Sequence, residues 1–572
     1  MIKKEVIIRN LLLLILSLSL ISTDGYGQRS RESSKKSSQK AREQKSRESS
    51  KEKAKGTKGA KDSKDQKASS KSASREDDCS PSAGLSRSRE PRNLAQLQDR
   101  IRALLSKPEL AAANVGIKIT TLDGQVVFEE NASKLLVPAS NMKLYTTAAA
   151  LEKLGADFRI RTSVYSYSRP DQTGQIKGDI VLYGRGDPSL GSRFNNDAES
   201  VDALALLARQ LVNAGVKSVD GNLIADESYF RGSPLGYGWE WSDIQWSFGA
   251  EVSALTFSDN SVDVAIKPSS VPGEACFVAV TPDVGYVGIT NQIQTSQPKT
   301  KREVGIYRGL EDNSVLVWGN LPVGDTGFQS RIAVHKPAAF TGYLFKEALR
   351  QVGIIVKGDV LVADSSRLSV VKPVDPTRDR LVELASIQSQ PLAELVRVVN
   401  KFSQNLYAEL LLRTLGKMKG SAELDSDTAG VEVVKEWLAS VGVDTKILSI
   451  LDGSGLSRRN LITASATTEL LKYMSRRPLR EPFEASLPVA GIDGSLTKRM
   501  VNTTAANNVK AKTGTVNNVT SLSGYVTTAG GDPLVFSIII NNFTPGRSQS
   551  RAVEDEICLL LASFVCKLGG AK

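Results

Sequence analysis

Residues 138–155 read PASNMKLYTTAAALEKLG. Pro138 suits the first turn of a helix, the Ala-rich run from Thr147 sustains it, and Gly155 after Leu154 stops it. Ser140 and Lys143, three apart, then share one helix face. The helix amino terminus brings a free backbone N–H and positive potential to the place where an oxyanion would form. A serine hydroxyl needs a base to act as a nucleophile. A lysine amine serves if burial or a second cation lowers its pKa. The spacing alone is weak, because Ser33/Lys36, Ser37/Lys40 and Ser50/Lys53 repeat it in a stretch without apolar pattern.

The surroundings of this helix read as globular. Leu94, Leu97, Ile101, Leu104 and Leu105 have helical spacing. Val115 to Thr121 and Gln125 to Glu129, joined through Asp123-Gly124, read as a β-hairpin. Beyond Gly155, strands are predicted at 161–166, 179–183, 262–267, 277–281 and 314–318, with helices at 201–213 and 337–351. After Leu384 the chain turns helical through 392–415 and 430–441. It then forms a meander at 508–516, 522–528 and 533–542, and a closing helix at 550–567. No fixed-period repeat is present.

Two further clusters carry chemistry. Ser403-Gln404-Asn405 precedes a helix with Leu406, Leu410 and Leu411. The Ser403 hydroxyl can relay a proton and the Asn405 amide can hold a peptide carbonyl, although a serine there also reads as a simple helix cap. Lys512-Thr513-Gly514-Thr515 lies on the first strand of the meander. Gly514 lets a ligand approach the backbone, while Lys512 and Thr513 offer charge and hydroxyl to a carboxylate.

Ser-x-x-Lys and Ser-x-Asn at helix starts, then Lys-Thr-Gly on a strand, resemble the signature set of penicillin-interacting serine enzymes. Some 259 residues separate Lys143 from Ser403, far more than a compact acyl-serine domain needs. With Gly186-Asp187-Pro188-Ser189-Leu190, Trp239-Glu240-Trp241 and Asn260 in that gap, the chain resembles the low-molecular-mass class C penicillin-binding proteins, the D-alanyl-D-alanine carboxypeptidase/endopeptidase family. The segments 452–458 and 490–496 extend the likeness, which covers about Asn93 to Cys566.

The resemblance implies an α/β (α+β) penicillin-binding, transpeptidase-like (β-lactamase-like) domain with two nested, mainly β insertions. The implied order is acyl-serine domain 91–163, inserted domain II 164–185, nested domain III 186–284, domain II again 285–383, and acyl-serine domain 384–572. The implied activity is a D-Ala-D-Ala carboxypeptidase and endopeptidase on peptidoglycan stem peptides, with β-lactams as covalent inhibitors. Ser140 would be the nucleophile and Lys143 its base, with Lys512 apposed so as to depress an amine pKa. Ser403 would relay the proton, and Asn405 would hold substrate and Lys143. Lys512, Thr513 and Gly514 would form the carboxylate-docking strand, and the Ser140 and Thr515 N–H groups the oxyanion hole. No metal or cofactor is called for. Two alternatives use the same residues: a wall-binding protein with a vestigial site, and a β-lactamase or esterase.

Composition narrows the field independently. Of 572 residues, 40% are hydrophobic and 24% charged, which excludes a wholly disordered or collagen-like chain. Residues 28–78 hold 17 Lys or Arg against 9 Asp or Glu and lack Leu, Ile, Val, Phe and Trp, so most of the net +12 is a property of a tail. The body is nearly neutral, and no nucleic-acid partner is expected. The tail (28–90) reads as a disordered spacer, or as a tether to anionic wall polymer or membrane surface. Ahead of it, Lys3, Lys4 and Arg9 precede an apolar run at 11–21, and Gly25 and Gly27 are small. Residues 1–27 therefore read as a cleaved signal peptide for export to the periplasmic or cell-wall side, with an uncleaved anchor as the alternative.

Four cysteines exclude a disulfide scaffold, and one histidine, His335, excludes a multi-histidine zinc site. Cys558 and Cys566 lie too far apart along a helix to bridge. Trp239, Trp241 and Trp246 read as an aromatic core cluster, with stacking on sugars as the alternative. Asp452 and Asp493 sit in Gly-rich loops, where turn formation explains them as well as catalysis does.

Overall fold

The run Leu534-Val535-Phe536-Ser537-Ile538-Ile539-Ile540 is apolar on both faces of a strand, the pattern of a strand covered on both sides. The computed structural model describes residues 91–194, 202–366, 369, 371–543 and 547–568. In it this strand is the middle of five. The order is Lys510–Val516, Val519–Thr527, Pro533–Asn541, Asn114–Thr121 and Val126–Glu130, with every pair antiparallel. Segments from the two ends of the sequence thus share one sheet.

Period-two alternation assigns the strand's side chains to two cores. Val535 and Ile539 pack with the helix Met142–Leu154 and with helices Leu392–Lys401, Asn405–Lys419, Ser426–Ser440 and Ala464–Ser475. Leu534, Phe536, Ile538 and Ile540 pack against Leu97 and Ile101 of Leu94–Leu105 and Ile557 and Leu561 of Arg547–Ala562. The Met142–Leu154 helix is buried from Met142 through Leu151, which explains its small residues: Ala148, Ala149 and Ala150 sit between sheet and helices. Gly155, at φ 88, ends it as expected.

The inserted region departs from expectation. Its larger sheet runs Val360–Ala363, Leu223–Asp226, Ile180–Tyr183, Arg161–Ser166, Val382–Gln388, and its first three strands are parallel. Helices Ala203–Asn213 and Pro337–Gln351 pack into the same core. This part combines a mixed sheet with two helices, and residues 203–226, expected in nested domain III, belong to it. Parallel neighbours cannot be joined by hairpins, so these helices are the crossovers the pairing demands.

Conversely, Gly288–Ser296, Glu303–Arg308, Ser314–Pro322 and Phe328–Ala333, expected in domain II, share a second core with Ser261–Lys267 and Phe277–Thr281, which Phe340 of the helix Pro337–Gln351 also enters. The expected edges at 163/164 and 383/384 fall inside the paired strands Arg161–Ser166 and Val382–Gln388. Helices Ala464–Ser475 and Arg480–Ala485 were not among the predicted elements.

The signal-peptide and tail readings, and Cys79, lie outside the described residues. Among those described, no helix is long and apolar enough to cross a membrane. Cys276, Cys558 and Cys566 are buried.

Because Phe536 is fully buried in the central strand, Phe536→Ala should lower unfolding free energy by about 3–5 kcal/mol. Val126→Ala, at a 43% exposed position, should change it by no more than about 0.5 kcal/mol. Denaturant titrations of both variants check this contrast.

Candidate active site

Ser140 sits in a single 3-10 turn, Ala139–Asn141, that leads into the helix Met142–Leu154. Pro138 therefore precedes the helix proper, and Ala139 takes a left-handed φ of 47°. Side chains three apart eclipse in 3-10 geometry, which brings Lys143 under Ser140. Lys143 is fully buried. Its Nζ donates to Ser140 Oγ at 2.9 Å, to Asn405 Oδ1 at 2.6 Å and to the Ser454 carbonyl at 2.6 Å. Burial pushes this amine down to about 7, and the negative charges of Asp452 and Glu409 oppose a deeper fall. Of the two causes expected from the sequence, burial and a second cation, each lysine uses a different share. For Lys143 desolvation is the cause, whereas Lys512 is held well below the usual range by burial first and the Lys143 charge second.

The helices Leu392–Lys401 and Asn405–Lys419 meet at Phe402-Ser403-Gln404, and Ser403 has φ 58°. Gln404, not Ser403, caps the second helix, its side-chain oxygen accepting from Leu406 N–H at 3.1 Å. The Ser403 hydroxyl is thereby left to accept from Lys512 Nζ at 2.8 Å. Lys512 also donates to the Thr513 carbonyl at 2.7 Å. Asn405 uses its Nδ2 on the Phe248 carbonyl at 2.7 Å, so the inserted region helps orient it.

Gly514 lies where no side chain fits. A Cβ there would stand 2.8 Å from the Pro138 carbonyl oxygen and 3.1 Å from Ser140 N. The strand Lys510–Val516, an edge of its sheet, therefore presses its backbone against the serine turn. Ser140, Ser403, Asn405 and Thr515 open on one cleft of ≈ 320 Å³, whose far wall carries Glu240, Asp243, Phe248 and Arg458. The residues singled out from three distant segments thus meet in one place.

Other expectations fare differently. The three tryptophans form no common core: Trp241 is 70% exposed, Trp239 donates to Asp452 Oδ2 at 3.1 Å, and Trp246 packs on the nested β core. His335 is tied to Glu251 at 2.6 Å in the inserted region, as a structural residue. Asp452 does build its turn, accepting from the N–H groups of Gly455 and Ser457, and it adds negative charge near Lys143.

Glu409 went unread. It is buried on the helix of Asn405, one turn further on, and accepts from Gly453 and Ser454 N–H at 3.0 and 2.8 Å. Arg413 Nη1 donates to its other oxygen at 3.2 Å. Glu409 thus holds the loop whose Ser454 carbonyl receives Lys143. A charged Glu/Arg pair four apart inside a Leu-rich helix was the available signal.

Glu409→Ala leaves two amides and a buried guanidinium without this partner and should cost about 3–5 kcal/mol of stability. Glu409→Gln, which keeps one acceptor oxygen, should cost less. Melting temperatures of the two variants check the order.

The sequence model of the D-Ala-D-Ala carboxypeptidase 3 (S13) family matches residues 97–564. A D-alanyl-D-alanine carboxypeptidase of Actinomadura sp. (strain R39) is 37% identical over 484 residues, 82% of this chain and 85% of that protein. The D-alanyl-D-alanine carboxypeptidase DacB of Haemophilus influenzae is 27% identical over 450 residues, 77% and 88% of the two chains. The crystal structure of penicillin-binding protein 4 (dacB) from Haemophilus influenzae superposes with a TM-score of 0.68 at 26% identity, over 80% of this chain and 97% of that one. It has also been solved in complex with a novel β-lactam, with a TM-score of 0.63 at 24% identity. The fold is the penicillin-binding, β-lactamase-like one, and the chain belongs to the D-Ala-D-Ala carboxypeptidase 3 (S13) family of serine peptidases.

Proposed function

We propose that this chain is an exported acyl-serine peptidase that removes the terminal D-alanine from peptidoglycan stem peptides and cleaves their cross-links. The observation that carries the reading is the 2.9 Å separation between Ser140 Oγ and the buried Lys143 amine at the floor of the cleft. With Lys143 neutral, the hydroxyl donates to the amine, and Ser140 Oγ attacks the carbonyl of the penultimate D-alanine. The proton passes to Lys143, and the oxyanion is held between the Ser140 and Thr515 N–H groups, which the bare Gly514 allows to lie close. As the C–N bond breaks, the departing nitrogen takes a proton through Ser403, with Lys512 behind it. Water then attacks the ester, releases the shortened peptide and returns the proton to Ser140.

A β-lactam offers the same carbonyl in a strained ring. The complex of the Haemophilus influenzae relative supports extending β-lactam binding to this chain, with Ser140 as the acylated atom. Glu240 and Asp243 opposite Arg458 give the cleft both signs of charge, which suits a peptide side chain carrying an amine and a carboxylate. The basic tail and the apolar amino-terminal stretch support a place outside the cytoplasm, and the charge of the tail suits anionic surface polymer.

A fluorescent penicillin should form a lasting adduct with the wild-type chain and none with Ser140→Ala; rapid turnover of the drug would point to a β-lactamase instead. Mass spectrometry of pentapeptide and cross-linked muropeptides should show released D-alanine and cleaved dimers. If neither product appears, the peptidase reading is lost.

The pH profile follows from Lys143. The amine is the active base only when neutral, so kcat/KM should rise as pH climbs through about 7 and then level off. A profile flat from pH 5 to 9 contradicts this assignment.

A further inference from the structure

Along the strand Lys510–Val516 side chains alternate between faces. Lys512 turns toward Ser403, and Thr513 and Thr515 lie on the opposite face. The groups there are mostly neutral. Thr513 Oγ1 lies 2.6 Å from Ser495 Oγ, and Thr515 Oγ1 donates to the Gly514 carbonyl at 2.8 Å. One exception stands among them: Arg551, half-buried on the helix Arg547–Ala562, donates from Nη2 to Thr515 Oγ1 at 3.0 Å.

Arg551 is set apart by its charge environment. The acids that follow it on its helix, Glu554 and Asp555, are both taken by Arg499 at 2.9 and 2.7 Å. Among the described residues no carboxylate lies within ion-pair distance of Arg551. The other cations in or beside the cleft are less suited to meet an anion. Lys143 and Lys512 are fully buried and committed to serine hydroxyls and backbone carbonyls. Arg458 faces Glu240 at 3.7 Å and donates to the Asn517 carbonyl. A guanidinium stays charged at any working pH and matches the planar geometry of a carboxylate.

We propose that Arg551 is a specificity-determining residue, its guanidinium braced on Thr515 and supplying the positive charge that recognises the free carboxylate at the end of the substrate peptide. The inference rests on the acyl-serine peptidase reading above. By occupying a lone pair of the Thr515 oxygen, Arg551 also directs that hydroxyl's proton outward. The proton goes to the Gly514 carbonyl in the free site and to a carboxylate oxygen when substrate is docked.

The test compares kcat/KM of the full chain on an acyl-D-Ala-D-Ala peptide and on its C-terminal amide, for the wild type, Arg551→Gln and Arg551→Lys. Arg551→Gln should lose about 10- to 100-fold on the free acid, chiefly through KM, as expected for a lost charge-assisted contact. It should stay within about twofold on the amide, and Arg551→Lys should recover part of the loss. An unchanged acid-to-amide ratio, or an equal loss on both peptides, overturns the role of Arg551 while leaving the peptidase reading intact. Failure of the wild type to release D-alanine from the free acid sinks both.

Discussion

A lysine amine without contact with water is the constraint around which this molecule is organised. Stripping an ammonium of solvent is costly unless its hydrogen bonds are replaced, and Lys143 finds three replacements: Ser140, Asn405 and the Ser454 carbonyl. These come from a 3-10 turn, a helix start and a loop that lie far apart in the chain. The domain must therefore close across its insertion before the lysine can be buried at all. Two buried carboxylates, Glu409 and Asp452, complete the environment: each shapes the 452–457 loop through backbone N–H groups, and each lends negative charge to the amine. The same groups that hold the loop thus set how readily the base gives up its proton.

Around this lysine the backbone is held in conformations that L-residues avoid. Ala139, directly before the nucleophile, and Ser403, the second hydroxyl, both have left-handed φ values. Such positions survive only where neighbouring packing over-determines them. Here the strand Lys510–Val516 supplies part of that packing by pressing Gly514 against the Pro138–Ser140 turn. The break between helices Leu392–Lys401 and Asn405–Lys419 supplies the rest, turning the Ser403 hydroxyl out of a capping role and toward Lys512. The inserted region also takes part, since the Phe248 carbonyl fixes the amide of Asn405.

Much of this was legible beforehand, for identifiable reasons. The helix after Ser140 announced itself through Pro138, its alanines and Gly155. The central strand was read at 533–542, one residue beyond its observed end, and the strand Phe277–Thr281 and helix Pro337–Gln351 were read at their observed bounds. What misled was the partition of the inserted region. Helices at 201–213 and 337–351 were visible, but their role as crossovers between parallel strands was not, because pairing partners leave no mark in local periodicity. Trp241 reads as a core residue from its hydrophobicity and is nonetheless exposed. Glu409 looks like one charged position among many until its burial is known.

The residue types and their local settings were thus determined by sequence alone: a serine three places before a lysine at a helix start, a Ser-x-Asn at a second, a Lys-Thr-Gly on an apolar-flanked strand. These are short-range properties, decided by propensity and capping within a turn or two. Tertiary structure alone decided that the three segments converge on one cleft and that burial, not the neighbouring cation, lowers the Lys143 amine. It alone also decided that Glu409 and Arg551 stand behind the loop and the strand which frame it. Desolvation and charge–charge coupling depend on distances between segments hundreds of residues apart, and no local pattern encodes those distances.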